Sequence, residues 1–250
     1  MISLILCFLL FLLLSPSSAT FLSQLSLDFC ELGVSTLWGS FELQNHRLLK
    51  KMVRQYARTD TLSLVTEHQY YFSLFSQLPL YLLRFHGSTS VHELLDAMEY
   101  AVYVYDVSHV IIDNLQFMVS DQAYGVSRFD LQDQVISLLR KFATSKNVHI
   151  SLVIHPRKQN ENEHFDMSSV FGGAKAIQEA DNIIVLQNDE PGLRHVEVLK
   201  NRYDGDLGRV AVLFDKHTNR FREMSADEVR KVREERRGKE EKERAQRKSG

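Results

Sequence analysis

The sequence is poor in cysteine and nearly balanced in charge. Its two cysteines, Cys7 and Cys30, are too few for the disulfide framework of a small secreted domain. A formal net charge of −2 gives no attraction to nucleic acid over the whole chain, so any such affinity has to come from a local patch. The 250 residues, 44% of them hydrophobic, fit one large α/β domain, alone or with tails.

A second absence concerns phosphate binding. No glycine-rich loop ending in Gly-Lys-Ser or Gly-Lys-Thr occurs in the sequence. However, Val110, Ile111 and Ile112 form an apolar run that ends in Asp113. A buried strand that delivers a carboxylate at its end is typical of nucleoside triphosphatases, in which the acid holds Mg²⁺. The sequence therefore has one half of a phosphate-transfer site and lacks the other half.

Residues 1–19 form an apolar leader. Residues 2–14 are apolar except for Ser3, and small residues follow at positions 15–19, as in a secretory signal peptide. The stretch is too short to cross a bilayer as a helix, and it contains none of the Lys or Arg that begin a signal peptide. Three interpretations stay open: a signal, a buried strand or helix, and a wrongly chosen start of the gene.

Residues 223–250 form a charged tail. Ser225 and Glu228 have the spacing of a capping box, which predicts the start of a helix. Apolar positions in the tail are too sparse to dock well on a core, so we expect a solvated helix or a disordered segment. A nucleic-acid-binding arm is the less favoured alternative.

Helical and strand patterns alternate over residues 20–222. Helices are predicted over 20–32, 45–58, 90–104, 129–144 and 174–179, and strands over 34–38, 80–85, 109–113, 148–154, 182–186, 196–199 and 210–214. The predicted loops include a turn at 39–42, a long loop at 156–173 and a type I′ hairpin turn at Asp204-Gly205. This order predicts a mainly parallel α/β sheet flanked by helices, with an antiparallel extension.

Three predicted strands are followed by a polar side chain that could take part in catalysis. Glu42, Asp113 and His155 follow strands whose carboxyl ends would line one crevice. Asp113 would hold Mg²⁺, Glu42 would orient or deprotonate the attacking water, and His155 would contact the γ-phosphate of a nucleotide. The alternative for each acid is a helix cap or turn residue, and for His155 a loop histidine bonded to backbone.

Cations follow two of the later strands. Arg157, Lys158 and, beyond Gly172 and Gly173, Lys175 lie in or next to the long loop, where they could bind the backbone of single-stranded DNA. Lys200 and Arg202 begin the turn after the strand at 196–199. Arg202, with Lys200, is either part of a plain hairpin or an arginine finger for a neighbouring subunit.

Six segments together resemble the Twinkle-type mitochondrial replicative DNA helicases, relatives of phage primase–helicases and of bacterial DnaB. They are VSTLWGSFE at 34–42, residues 101–118, RKFAT at 140–144, VIHPRK at 153–158, residues 174–181 and KNRYDGD at 200–206. The resemblance covers about residues 20–222. It implies a RecA-like ATPase core, a ring of six or seven subunits on single-stranded DNA, and ATP- and Mg²⁺-dependent 5′→3′ unwinding in the mitochondrial matrix nucleoid, with other mitochondrial replication proteins.

The resemblance also implies roles for individual residues. Glu42 matches the catalytic glutamate, Asp113 the acid that binds Mg²⁺, His155 the phosphate sensor, Gln178 a helicase-motif glutamine and Arg202 the finger that acts across the subunit interface. The cations and glycines around the long loop match the DNA-binding loop; these are Arg157, Lys158, Gly172, Gly173 and Lys175.

The sequence departs from this family where the phosphate loop should be. Residues 15–19 occupy the place of Gly-Lys-Thr, with Thr20 as a remnant of the loop, and the primase-like domain and linker helix of the family are missing from the sequence. We therefore expect negligible ATP hydrolysis. A non-catalytic subunit that binds single-stranded DNA or joins a ring is the alternative function, and a secreted α/β protein is the third.

Two structural expectations follow from the resemblance. The strand that precedes the phosphate loop in this family lies between those at 148–154 and 182–186, so part of residues 2–14 should fill that position, or the sheet should be split. Arg202 should be exposed, should lie on the far side of the molecule from Glu42 and Asp113, and should lack a buried carboxylate partner.

Overall fold

The computed structural model of the chain describes residues 8–13, 18–58, 65–85, 88–119, 127–154, 174–190 and 193–248. Its centre is a nine-stranded sheet. The strands are β1 (Phe8–Leu13), β2 (Thr36–Ser40), β3 (Leu80–Leu82), β4 (His109–Asp113), β5 (His149–Ile154), β6 (Asn182–Glu190), β7 (Leu193–Asn201), β8 (Gly208–Asp215) and β9 (Arg220–Glu223). They lie in the order β3-β2-β4-β5-β1-β6-β7-β8-β9.

Helices connect the strands and cover both faces of the sheet. They are α1 (Ser18–Glu31), α2 (Asn45–Ala57), α3 (Val65–Phe75), α4 (Val91–Tyr105), α5 (Leu115–Met118), α6 (Arg128–Lys146), α7 (Ala174–Glu179) and α8 (Ala226–Lys248). The first six strands of the spatial order are parallel, and β7, β8 and β9 continue the sheet in antiparallel pairs. The predicted fold class is therefore confirmed.

Strand β1 fills the gap that the sequence analysis identified. It pairs in parallel with β5 on one side and with β6 on the other, so that Leu10 lies opposite both Leu152 and Ile183. An unpaired gap here would leave two ladders of backbone N–H and C=O groups without partners in the middle of the sheet. The expectation that part of residues 2–14 occupies this position is confirmed, and the sheet is not split.

Each face of the sheet has its own apolar core. On one face, Leu94 and Met98 of α4 pack with Val110 and Ile112 of β4 and with residues of α6. On the other face, Leu22 of α1 packs with a cluster from α2 and the strands that includes Leu48, Met52, Trp38 and Ile111. Alternate residues of β4 thus point to opposite cores, and all five are buried, as expected for a central parallel strand.

Three helices have recognisable caps, and the last of these is the predicted capping box at Ser225 and Glu228. Gly33 has φ +83° just past the end of α1, a conformation that favours glycine. The Ser90 hydroxyl accepts the His92 N–H at the start of α4. Ser225 and Glu228 bond reciprocally at the start of α8, as a capping box requires.

Other local predictions were wrong. Strand β2 continues through Gly39 and Ser40, which the sequence analysis assigned to a turn, because both residues pair with β4. The turn after β7 is not type I′, since Gly205 has a positive φ but Asp204 does not. Helices α3 and α5 and strand β9 were not predicted at all. The loop at 156–173 lies outside the described residues. Within the described part of the chain, no helix is both long and apolar enough to span a membrane.

Candidate active site

The carboxyl edge of two adjacent parallel strands brings together Glu42 and Asp113. β2 pairs with β4 so that Ser40 lies opposite Asp113. The Phe41 N–H donates to the Asp113 carbonyl at 2.8 Å, which ties the segment leading to Glu42 onto the end of β4. The Asp113 side chain is buried whereas Glu42 is exposed. The structure therefore joins two of the three residues predicted for this edge, while His155 lies outside the described residues.

Asn114 holds the Glu42 side chain in place. The Asn114 Nδ2 donates to Glu42 Oε2 at 2.7 Å, and Asn114 Oδ1 accepts the Phe117 N–H at 3.0 Å. Asn114 is fully buried and is the N-cap of α5, so one amide both starts a helix and fixes the carboxylate. Asn114 was not predicted from the sequence. An Asn between a buried strand and a short apolar run is the signal that could have found it.

Thr20 lies in the first turn of α1 and is held from three directions. Its hydroxyl accepts Lys51 Nζ at 3.1 Å, and its carbonyl accepts both Gln55 Nε2 at 2.9 Å and Ser23 Oγ at 3.0 Å. Burial lowers the pKa of Lys51, and the negative charge of Asp113 opposes that shift. Lys51 thus ties α2 to the first turn of α1. Lys51 was not predicted from the sequence.

These contacts bear on whether magnesium fits the site. Asp113 supplies the carboxylate oxygen that a hard cation prefers. However, the Thr20 hydroxyl is already bonded to an ammonium group, and Lys51 brings its own positive charge into the field of Asp113. Among the described residues, no group of three or more His, Cys, Asp or Glu side chains could hold a metal ion. Mg²⁺ is, however, usually held by one or two carboxylates together with the phosphates of a nucleotide, so Asp113 remains the described residue that would hold it.

The predicted finger residues lie at the opposite edge of the sheet. Asn201, at the end of β7, pairs with Asn182, at the start of β6, so Lys200 and Arg202 lie at the amino edge of the parallel strands. Lys200 Nζ donates to the carbonyls of Ile177 and Ala180 at 2.6 and 2.7 Å, at the end of α7. The expected far-side position of Arg202 is confirmed.

The expectation that Arg202 lacks a buried carboxylate partner was wrong. Its Nη1 contacts Asp181 Oδ1 at 2.6 Å, and its Nη2 donates to the Gln178 carbonyl at 2.6 Å. Asp181 is fully buried and also pairs with Arg140. The reason is the strand register, because the Arg202 N–H bonds to the Asp181 carbonyl and this brings the two side chains together. The Arg202 side chain is still 42% exposed.

The predicted DNA-binding residues are mostly outside the described part of the chain. His155, Arg157, Lys158, Gly172 and Gly173 all fall there. Lys175 is the second residue of α7 and forms an ion pair with Glu179 at 2.9 Å, which raises the pKa of Lys175 through that hydrogen bond and charge. The side chain of Gln178 is exposed on the same helix. Neither Gln178 nor Lys200 reaches the edge that carries Glu42 and Asp113.

Comparison with known proteins gives a family and a fold. Residues 17–161 match a family described as AAA domain. A solved structure of an ATPase domain superposes with a TM-score of 0.77 and 17% identity, over 88% of this chain and 85% of that chain. The structure of a DnaB-like replicative helicase, described with its interactions with primase, superposes with a TM-score of 0.70 and 17% identity, over 88% of this chain and 58% of that chain. The chain therefore has the fold of a RecA-like ATPase domain.

Proposed function

Because the chain belongs to the AAA domain family, we propose that it is the RecA-like core of a DnaB-type DNA helicase, in a form that does not hydrolyse ATP by itself. The observation that carries this proposal is the Glu42–Asn114 bond beside Asp113. An exposed carboxylate fixed by a buried amide, next to a buried acid on the adjacent strand, suits the orientation of an attacking water at the carboxyl edge of an α/β sheet.

The lack of hydrolysis follows from the missing phosphate loop. Phosphoryl transfer depends on positioning and on charge stabilisation, and the loop normally supplies backbone N–H groups and a lysine to the β- and γ-phosphates. Removing one preorganised donor from an active site costs roughly 10²–10³ in rate. The sequence has no Gly-Lys-Ser/Thr to supply several such donors. Without these donors, Glu42 would still orient a water molecule, but no phosphate would be held next to that water in the position for attack.

The finer parts of the proposal rest on the motif resemblance. They are ATP as the nucleotide, 5′→3′ movement on single-stranded DNA, a ring of six or seven copies, and a role in mitochondrial DNA replication within the matrix nucleoid. Two similar solved structures are of an ATPase domain and of a replicative helicase, which supports the helicase class. A secretory route, favoured by residues 2–14, is the competing location. Fractionation of cells that express the tagged full chain would separate the two.

The experiment that tests the catalytic proposal restores the phosphate loop. A Gly-x-x-x-x-Gly-Lys-Thr sequence is written over residues 12–19, directly before Thr20. The unaltered chain should show no ATP turnover with single-stranded DNA present, and the restored chain should hydrolyse ATP. Glu42→Gln in the restored chain should lower the rate by about 10²–10⁴, the usual contribution of a general base. Turnover by the unaltered chain within about tenfold of the restored chain would sink the proposal.

A second candidate function is a non-catalytic subunit that joins a ring and completes a neighbour's site. The partly exposed Arg202 favours it, since only part of its guanidinium surface is used by Asp181. We would mix restored chains carrying Arg202→Ala with restored chains carrying Glu42→Gln. Recovery of ATPase on mixing supports a finger that acts across the interface. If sedimentation shows that rings have formed and ATPase is still not recovered, Arg202 has only a structural role, in contact with Asp181.

A further inference from the structure

The outer face of helix α4 carries exposed tyrosines. Tyr100 is 60% exposed and Tyr103 is 85% exposed, and Val104 and Tyr105 next to them are exposed as well. The ring of Tyr105 stacks on that of Tyr81 in β3, with centroids 4.4 Å apart, so the cluster is anchored on an edge strand of the sheet. Contiguous apolar surface left in water marks an interaction site, and tyrosine is enriched in such sites.

The same face of α4 is acidic. Asp96 lies four residues before Tyr100 and seven before Tyr103, so these three side chains share one face of the helix. Glu99 is also exposed and pairs with Lys146 of α6, whereas α4 itself contains no Lys or Arg. An aromatic and acidic face suits a cationic partner, and its carboxylates would repel the phosphates of a nucleic acid.

Helix α8 carries a cationic face of matching length. Arg230, Arg233 and Arg237 follow one another at spacings of three and four residues, so they lie on one face of the helix. Glu228 lies on the opposite side. Arg230 pairs with Asp227 at 2.7 Å, but these side chains are 70% and 82% exposed, and such a surface pair contributes little. One face of α8 is therefore predominantly arginine and in contact with solvent.

The two faces lie at opposite ends of the row of strands. Tyr81, which stacks on α4, belongs to the edge strand β3, and α8 follows the other edge strand, β9. Strands lie about 4.8 Å apart, so β3 and β9 are separated by roughly 38 Å along the sheet. Arg222 and Glu228, paired at 2.6 Å, hold the start of α8 beside β9, and Arg237 is only about 14 Å further along the helix. The arginine face is thus too far from the tyrosine face of its own chain.

We propose that the arginine face of α8 docks on the tyrosine face of α4 in a second copy of the chain, so that copies associate head to tail. Guanidinium groups bind over aromatic rings and pair with carboxylates, and both faces span about 10.5 Å along their helices, so several contacts form together. Because the contact joins two different surfaces, its repetition gives a ring or a filament. The inference rests on the proposed function only for the use of this contact in a helicase ring.

The test is the mass of the full chain in solution, measured by sedimentation equilibrium without nucleotide or DNA. The unaltered chain should self-associate, and more weakly as salt is added. Tyr100→Ser combined with Tyr103→Ser, and separately Arg233→Glu combined with Arg237→Glu, should each weaken the association by about tenfold or more. Circular dichroism checks that both variants are folded. An unaltered chain that stays monomeric at its highest soluble concentration, or a folded variant that associates normally, overturns the proposal.

Two matched controls lie outside the proposed contact. Tyr70→Ser removes an exposed tyrosine of α3, and Lys231→Glu reverses an exposed charge on another side of α8. Both variants should associate as the unaltered chain does. Weakening of the same size in either control would show that the effect is not specific to the two faces, and would overturn the proposal.

Mixing the double tyrosine variant with the double arginine variant tests the head-to-tail arrangement. The mixture has one intact face of each kind, so it should form a one-to-one pair and nothing larger. No pair, or self-association of the arginine variant alone, overturns the proposal. Weaker binding of single-stranded DNA by the arginine variant, with its mass unchanged, would assign α8 to nucleic acid instead. Absence of ATPase in the chain with the restored phosphate loop is a failure of the helicase proposal alone, because these masses are measured without nucleotide.

Discussion

At the residue scale, Asn114 links the fold to the candidate chemistry. Replacing Asn114 with Ala removes the N-cap of α5 and the donor to Glu42, and we expect the free energy of unfolding to fall by about 1–2 kcal/mol. Glu42→Gln keeps an oxygen acceptor for Asn114 and should change stability by less than about 0.5 kcal/mol. Urea titration monitored by circular dichroism measures both. Equal losses for the two variants would contradict the capping role of Asn114.

Asp181 is the second residue with a defined structural task. Its buried carboxylate accepts from Arg140 and Arg202, so Asp181→Asn leaves two guanidinium groups without their counter-charge. Breaking a buried ion pair on one side costs about 3–5 kcal/mol. Asp204→Asn, in the exposed turn after β7, should cost almost nothing, and Arg202→Ala should fall between the two because that side chain is partly exposed. Chemical unfolding should therefore show the largest loss of stability for Asp181→Asn, a smaller loss for Arg202→Ala and almost none for Asp204→Asn. The reverse order would contradict the role of Asp181 as the shared partner of the two arginines.

At the scale of elements, sequence patterns predicted the features that depend on the local sequence of residues. They missed the features that depend on packing between elements. The strand at 109–113 was predicted to the residue, because an apolar run bounded by polar positions needs no tertiary information. Glu42 and Asp113 were brought together correctly, because parallel strands end at one edge. Lys51 was missed because its meaning depends on how α2 packs on α1. Arg202 was misjudged because its partner depends on the register of β6 and β7.

Strand β1 gives the prediction at this scale. Leu10→Pro removes one N–H from a strand that pairs on both sides and leaves a neighbouring carbonyl without its donor. We expect a loss of at least about 3 kcal/mol, enough to prevent stable folding of many domains. Glu235→Pro, in the exposed face of α8, should disrupt that helix and leave the melting of the core unchanged. Equal melting temperatures for Leu10→Pro and the unaltered chain would show that β1 is not part of the folded sheet.

At the scale of the whole molecule, the two edges of the sheet have different electrostatics. The carboxyl edge carries the exposed Glu42 and the buried Asp113. The amino edge holds the buried His109 and the partly buried His149 at the starts of β4 and β5, with ring centroids 5.1 Å apart, and His109 Nε2 lies 2.9 Å from Ser151 Oγ. Two histidines in a dry site favour their neutral forms. The stability of the molecule therefore depends on pH through a part of the sheet that is remote from the candidate site.

Acid should destabilise the molecule in a window set by these histidines. Burial lowers the pKa of His149 from 6.5 to about 4, against the opposing charge of Asp181. Burial, together with the charge of His149, also lowers the pKa of His109 well below 6.5. Above pH 6.5 both histidines are neutral in the folded and unfolded chains, so they have no effect there. As pH falls from 6.5 towards 4, the unfolded chain binds protons that the folded chain does not, and His149 alone should remove about 3 kcal/mol of stability.

His149→Gln should flatten the fall in the free energy of unfolding between pH 6.5 and 4, and His92→Gln, on the exposed face of α4, should leave it unchanged. The pKa of Glu228 is lowered to about 2 by its pairing with Arg222, so the stability that this pair contributes is lost only below pH 4.5. Its titration therefore falls mostly below the histidine window. Urea unfolding of the unaltered chain and the two histidine variants between pH 6.5 and 4 measures the effect of His149 on stability. If the free energy of unfolding of His149→Gln depends on pH as that of the unaltered chain does, this histidine titrates alike in the folded and unfolded chains. Solvent would then have to reach the amino edge of the sheet more freely than its packing implies.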